Sequence, residues 1–230
     1  MKRIAIIPAR GGSKRIKNKN IKSFNGSPII SYILKTAQSS KLFDEIHVST
    51  DSEKIKSVVS KFGFKPQFLR PQELADDFTP IIPVLTYVLN EYAKSKVFFD
   101  EVWLLMPCAA LVKVEDLISA SEEFSKWERK KSLLAISEYS VPVQWAFDMS
   151  PNKELEAREP GQFLVRSQDI KKYYYDTGLF AVFPAERLLD SESPGFDTNF
   201  IGQVIPKIRA IDIDDLDDWR IAELVHKTLL

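Results

Sequence analysis

Four consecutive apolar positions, residues 4–7, give way at Pro8 to a loop with two glycines and five cations between Arg10 and Lys19. An apolar run of that length predicts a buried strand rather than a helix. Apolar residues then recur at helical spacing as Ile29, Ile30, Ile33, Leu34 and Ala37, with Ser27 expected as N-cap and Pro28 at the first helical position. Residues 45–49 predict a second strand. Thr50-Asp51-Ser52-Glu53 predicts a capped helix start, and Gly63 its end. Residues 64–69 predict a short third strand, kept near an edge by Pro66.

After a polar loop at residues 70–79, helical spacing returns through Ile81, Val84, Leu85, Val88 and Leu89. Residues 100–106 are apolar enough for a strand covered on both faces. A helix at residues 114–127 and a strand at 132–137 follow. Strand and helix alternating in this way predict a Rossmann-like, doubly wound, mostly parallel α/β sheet with right-handed crossovers. The rhythm breaks between residues 138 and 176, where proline, aromatics and charges mix without a period, so an inserted arm is expected there. Beyond it come a strand at 179–183, a short helix near 184–189, a loop to Gly202, a strand toward Ile211 and an amphipathic helix from Leu216. The expectation is one domain over residues 1–230 carrying an arm at 138–176.

Composition narrows the function classes. With 32 basic and 32 acidic residues the net charge is zero, which argues against a nucleic-acid or membrane-surface binder. The only apolar run near the start is too short for a signal peptide, and no segment approaches a membrane span, so the expected location is cytoplasmic. One cysteine, Cys108, permits no internal disulfide, and with two histidines a Cys/His metal site or dyad is not expected.

The stretch after the first strand, Arg10-Gly11-Gly12-Ser13-Lys14-Arg15, continuing to Lys17, Lys19 and Asn20, carries two adjacent glycines and five cations. Glycines allow successive N–H groups to point into one concavity, and the cations supply further donors, so a polyphosphate site is expected; the alternative is a solvated basic loop. Its place at the carboxyl end of a strand favours a ligand site. Near the other end, Asp212-Ile213-Asp214 puts two carboxylates on one side of an extended chain, where they either converge on a hard divalent cation or form a charged surface loop. Asp215, Asp217 and Asp218 suit the first turn of the last helix, favourable to its dipole. An anion loop with a carboxylate pair points to metal-assisted phosphoryl or nucleotidyl transfer, chemistry that requires no protein nucleophile.

The run from Pro8 to Arg15 with Lys19-Asn20-Ile21 resembles the signature of the sugar-acid cytidylyltransferases. In the same order come Ser49-Thr50-Asp51, Arg70-Pro71-x-x-Leu74-Ala75-Asp76-Asp77, Arg166-Ser167-Gln168-Asp169, Tyr175-Asp176-x-Gly178 and Asp212-Ile213-Asp214 with Asp217-Asp218-Trp219. The set spans nearly the whole chain and is most similar to the pseudaminic acid branch. The resemblance implies a nucleotide-diphospho-sugar transferase-like fold and attack by a sugar acid's anomeric hydroxyl on the α-phosphorus of CTP, giving a CMP-sugar and pyrophosphate. It implies Arg10, Gly11, Gly12, Ser13, Lys14, Lys19, Asn20, Arg70 and Thr79 as nucleotide contacts and Lys19, Arg10 and Asp214 as catalytic groups. It further implies Asp212 and Asp214 as ligands of Mg²⁺, and Arg166, Gln168 and Asp176 as sugar contacts, an arginine being suited to bidentate capture of a carboxylate.

A homodimer built through the arm is implied as well, with Trp145, Phe147, Tyr173 and Tyr174 as contacts or as intrachain packing. The alternatives are legionaminate, N-acetylneuraminate or 3-deoxy-manno-octulosonate as substrate, or a silent nucleotide-binding relative. Met106-Pro107-Cys108-Ala109-Ala110 stands where sialic acid enzymes carry Gln-Pro-Thr-Ser-Pro. Its lack of hydroxyl partners weighs against plain N-acetylneuraminate and favours a deoxygenated sugar, or else reflects ordinary packing.

Overall fold

The computed structural model describes residues 1–190 and 198–229. In chain order the elements are β1 (Arg3–Pro8), the short pair β2 (Ser23–Phe24) and β3 (Ser27–Pro28), α1 (Ile30–Ser40), β4 (Glu45–Ser49), α2 (Glu53–Ser60), α3 (Ile81–Lys94), β5 (Glu101–Leu105), α4 (Val114–Lys126) and β6 (Ser132–Glu138). The arm carries β7 (Phe147–Met149) and β8 (Leu155–Ala157), after which come β9 (Tyr174–Pro184), α5 (Ala185–Leu189), β10 (Phe200–Val204) and α6 (Leu216–Leu229).

Six strands form one sheet in the order β10–β6–β9–β5–β1–β4. β1 runs parallel to β4 and β5, β10 runs parallel to β6, and β9 is antiparallel to both its neighbours. The alternation of side chains along β1 divides the core. Ile4 and Ile6 pack with Leu85, Val88 and Leu89 of α3, while Ala5 and Ile7 pack with α1, α2 and α4 on the opposite face. Both faces are therefore covered, which is why the central strands read as unbroken apolar runs.

Ser27 does not cap α1. Asn25 and Gly26 both take positive φ, 45° and 91°, and close a β2–β3 hairpin, so Ser27 and Pro28 are strand residues and the helix starts at Ile30. Asn-Gly is the residue pair such a turn requires. Ser52 caps α2 as expected, its Oγ accepting the Ile55 N–H at 3.4 Å. Residues 64–69 form no strand. Phe68 instead stacks on the buried His47, ring centroids 4.5 Å apart, beneath Tyr92. Burial in this apolar box lowers the His47 pKa to about 4.

A strand, β10, occupies part of the expected loop before Gly202, whose residues 191–197 lie outside the described set, and the stretch toward Ile211 makes a single 3₁₀ turn, Lys207–Arg209, in place of a strand. β9 begins at Tyr174, inside the expected arm, so residues 139–173 separate β6 from β9. Within them Trp145 and Phe147 both stack on Phe163, with centroids 6.0 and 4.8 Å away.

Candidate active site

A third apolar cluster explains how the two ends of the chain meet. Ile16 of the cationic loop, Phe24 of the hairpin, Cys108 and Ala110 after β5, Ile213 of the acidic segment and Trp219 of α6 are buried together. Ile213 is only 2% exposed. Because it turns inward, its neighbours Asp212 and Asp214 turn outward, as alternation in an extended chain demands. Arg209 holds the approach to this segment: its guanidinium reaches both oxygens of Asp116 at the start of α4, Nη2–Oδ1 being 2.8 Å, and donates to the Leu111 carbonyl at 3.2 Å.

The result is a cleft of about 260 Å³ lined by Arg10, Ser13, Lys14, Arg15, Lys19, Asn20, Asp212 and Asp214, with Pro8, Ile16, Met106 and Pro107 completing the wall. Cations and carboxylates face each other across it. Arg15 pairs with Asp214 at 2.7 Å, and Lys19 Nζ donates to the Ile213 carbonyl. Arg10 pairs with Asp77 at 2.8 Å and also donates to the Asp76 carbonyl, while Lys14 joins Asp77. Hydrogen bonding from Lys14 and the nearby Arg10 charge hold the Asp77 carboxyl below its ordinary range. Asn20, buried, donates to the Arg10 carbonyl at 3.0 Å and accepts from the Cys108 thiol at 3.8 Å. Burial pushes that thiol up to about 12, so it is an inert packing group.

Asp212 has its pKa raised, first by loss of solvent and next by the Asp214 charge, with Lys19 opposing. Two carboxylates that repel each other beside a cationic loop suit a hard cation that takes one or two protein oxygens and completes its shell from phosphate and water. Among the described residues no group of three or more His, Cys, Asp or Glu side chains converges to hold an ion by protein ligands alone.

The glycines act differently from expectation. Neither Gly11 nor Gly12 takes positive φ. The Gly11 N–H donates to Asp51 Oδ1 at 2.9 Å instead of facing the cleft, and a Cβ there would stand 3.0 Å from Ser52 Cβ, so Gly11 lets the loop lie against the start of α2. Gly178 is the glycine with a steric reason at the cleft: its φ is +62° and an added Cβ would sit 3.0 Å from Asp212 Oδ2. It lies in an irregularity of β9, where pairing with β6 jumps from Leu134–Ala181 to Ile136–Asp176 and Thr177 Oγ1 donates to the Ala135 carbonyl at 2.7 Å.

Arg70 is 6% exposed, and its Nε and Nη2 have no hydrogen-bond partner among the described residues. Burial lowers its pKa while Asp51 opposes that shift. Orphaned guanidinium donors are costly, and a ligand carbonyl is the kind of acceptor that would satisfy them. Thr79 does not line the cleft: its N–H donates to Asp76 at 2.6 Å and its Oγ1 to the Glu73 carbonyl at 3.2 Å, inside the 70–79 loop.

The three expected sugar contacts are not brought together. Asp176 lines a cavity of about 220 Å³ that shares Met106 with the cleft. Gln168 lines a separate cavity on the arm, of about 380 Å³, beside Tyr139, Lys171, Lys172 and Tyr173. Arg166 is exposed and pairs with Asp169 at 2.8 Å. Sequence reasoning counted Arg15 among the loop cations but missed its pairing with Asp214, and missed the parts played by Asp51, Asp77 and Arg209. Arg15 and Asp77 were visible as neighbours of recognised positions; nothing local marks Arg209, whose partner lies 93 residues away.

Comparison with known proteins adds four observations. A family pattern described as cytidylyltransferase matches residues 4–99. A pseudaminic acid cytidylyltransferase of Campylobacter jejuni is 34% identical over 99% of this chain and 97% of its own. A CMP-N,N'-diacetyllegionaminic acid synthase of Legionella pneumophila is 30% identical over 97% of this chain and 95% of its own. Among solved structures, a CMP:2-keto-3-deoxy-manno-octonic acid synthetase complexed with CTP covers the whole of both chains with a TM-score of 0.73 at 16% identity, a likeness of fold.

Proposed function

The chain belongs to the cytidylyltransferases, and from that premise we propose that it couples CTP to a nine-carbon sugar acid, pseudaminic acid first among the candidates, giving a CMP-sugar and pyrophosphate. One observation carries the reading: a cationic loop and a carboxylate pair from opposite ends of the chain face each other across a single cleft. In this reading Arg10, Ser13, Lys14 and Lys19 hold the triphosphate, and Arg10 and Lys14 exchange Asp77 for phosphate oxygens. Lys19, next to both carboxylates, neutralises the charge that develops at the α-phosphorus. Asn20 and Arg70 contact the nucleoside, with Gly11 and Gly12 shaping the loop and Thr79 holding the flanking segment. Asp212 and Asp214 would hold Mg²⁺, which when bound supplies charge neutralisation and lowers the pKa of an attacking hydroxyl. One of the two carboxylates accepts the proton of that hydroxyl. Asp176 faces the sugar acid beside the cleft.

The whole of residues 1–230 then serves as one catalytic unit. Its arm presents Leu164, 91% exposed, together with the outer faces of Phe147, Tyr173 and Tyr174, and we assign this surface to a homodimer in which Arg166 and Gln168 serve a sugar acid across the interface. Among the described residues no helix is long and apolar enough to cross a membrane. Legionaminate is a second reading, supported by the Legionella relative. The test is pyrophosphate release with CTP, Mg²⁺ and each sugar acid in turn. Turnover greatest with pseudaminic acid supports the first reading, turnover greatest with legionaminate the second, and release with neither overturns both.

A further inference from the structure

The turn from β4 into α2 ties two segments together. The Ala9 N–H donates to the Ser49 carbonyl at 2.8 Å and the Gly11 N–H to Asp51 Oδ1 at 2.9 Å, so the cationic loop lies along the end of β4. From the other side the Arg70 N–H donates to the Thr50 carbonyl at 2.8 Å. Thr50 is buried, and its hydroxyl accepts the Ser52 N–H at 3.1 Å, which sets the bend that carries Asp51. Asp51 therefore stands between the loop and Arg70, half-buried, its second oxygen accepting from Gln72 Nε2 at 3.5 Å.

The Arg70 guanidinium needs such a neighbour. Burial and the Arg10 charge both lower its pKa, and the Asp51 charge opposes them. A buried cation is tolerated only where a counter-charge compensates its lost hydration. Among the described residues no ion pair joins Arg70 to an acid, so its Nε and Nη2 stay without partners while its charge is balanced. Asp77 behaves otherwise: it pairs directly with Arg10 and Lys14 and gives way to phosphate in the reading above. Asp51 takes a backbone N–H, and nothing in that reading displaces it.

We propose that Asp51 is a positioning residue for the nucleotide: it holds the Gly11 loop with one oxygen and, as counter-charge, keeps the buried Arg70 guanidinium in place with two donors ready for the nucleoside. The inference rests on the CTP reading above and deepens it. A supporting group of this kind contributes to affinity by fixing a contact residue in advance. Its loss therefore weakens binding through that contact residue and not independently of it.

The experiment is a double-mutant cycle of Asp51→Asn and Arg70→Met, read by calorimetric Kd for CTP and by the thermal transition, with no sugar acid present. Asn keeps an oxygen for the Gly11 N–H and removes the charge. Asp51→Asn alone should raise Kd about three- to tenfold and lower Tm. In the Arg70→Met background the same substitution should leave Kd where Arg70→Met put it, and the double variant should recover the lost Tm, since no buried cation is left uncompensated. Should Asp51→Asn alone not fold, recovery of the fold in the double variant is the same result, and failure of both overturns the assignment. Additive losses of affinity in the double variant overturn it as well, because Asp51 would then act independently of Arg70. Wild-type affinity in Asp51→Asn also overturns it and leaves the transferase reading standing. Absence of CTP binding by the wild type sinks that reading and the inference with it.

Discussion

The cationic cleft and the arm hold similar residues but join them in opposite ways. In the cleft the pairing is long-range: Arg15 meets Asp214, and Lys19 reaches the Ile213 carbonyl 194 residues away. In the arm it is mostly local, with Arg166 on Asp169 three residues along and Arg158 on Asp148 across one hairpin, while at its base Lys172 reaches back 34 residues to Glu138. Long-range convergence of charge needs the whole fold to maintain it, and the buried Ile16–Ile213–Trp219 cluster beneath the cleft does so. Local pairs on an exposed surface contribute little and hold little in place. In the proposed reading, the difference separates a preorganised catalytic surface from one that gains a role only when another surface meets it.

The largest expected effect is that of Lys19→Ala. Removing a donor aimed at developing charge should lower kcat about a hundredfold without loss of fold, checked by pyrophosphate release and by the thermal transition. Asp214→Asn comes next at about tenfold in turnover, a loss of roughly 1.4 kcal/mol of transition-state stabilisation, because Asp212 and the loop remain. Near-normal turnover in either variant would take that residue out of the mechanism and weaken the contrast with the arm. Arg70→Met should raise KM for CTP several-fold while leaving Tm unchanged or higher, since it removes buried donors that have no partner among the described residues. A drop in Tm with KM untouched would make Arg70 structural.

The smallest effect is predicted for Arg166→Ala, whose side chain is bound, among the described residues, to Asp169 alone. KM for the sugar acid should rise a few-fold with KM for CTP unchanged. A loss as large as that of Lys19→Ala would erase the distinction between arm and cleft.

Much of the sheet was readable because its strands are buried on both faces and its helices keep apolar spacing: Glu101–Leu105 and Ile81–Lys94 stand where the pattern put them. The failures share a cause, which is turn chemistry or tertiary contact overriding local pattern. Asn25-Gly26 makes a hairpin out of an apparent helix cap, and Phe68 leaves a strand-like run to stack on His47. At the site, the cations and the Asp212–Asp214 pair were legible as charge in a strand-end context. The Met106 cavity was legible only as an absence of polar residues, since its far wall, Phe180 and Ala181, comes from a strand more than 70 positions later. The role given to Gly11 was misread because its N–H belongs to Asp51, a partner that no local spacing reveals.

The central claim is that a metal-bound triphosphate is held from two sides, by the loop cations and by Asp212 with Asp214. Calorimetric titration of CTP with and without Mg²⁺, in the wild type and in the Asp212→Asn/Asp214→Asn double variant, tests it most directly. The account predicts that Mg²⁺ tightens CTP binding about tenfold or more in the wild type. In the double variant Mg²⁺ should have no effect, while metal-free CTP binds as well or better because two repelling charges are gone. Undiminished dependence on Mg²⁺ in the double variant would contradict it.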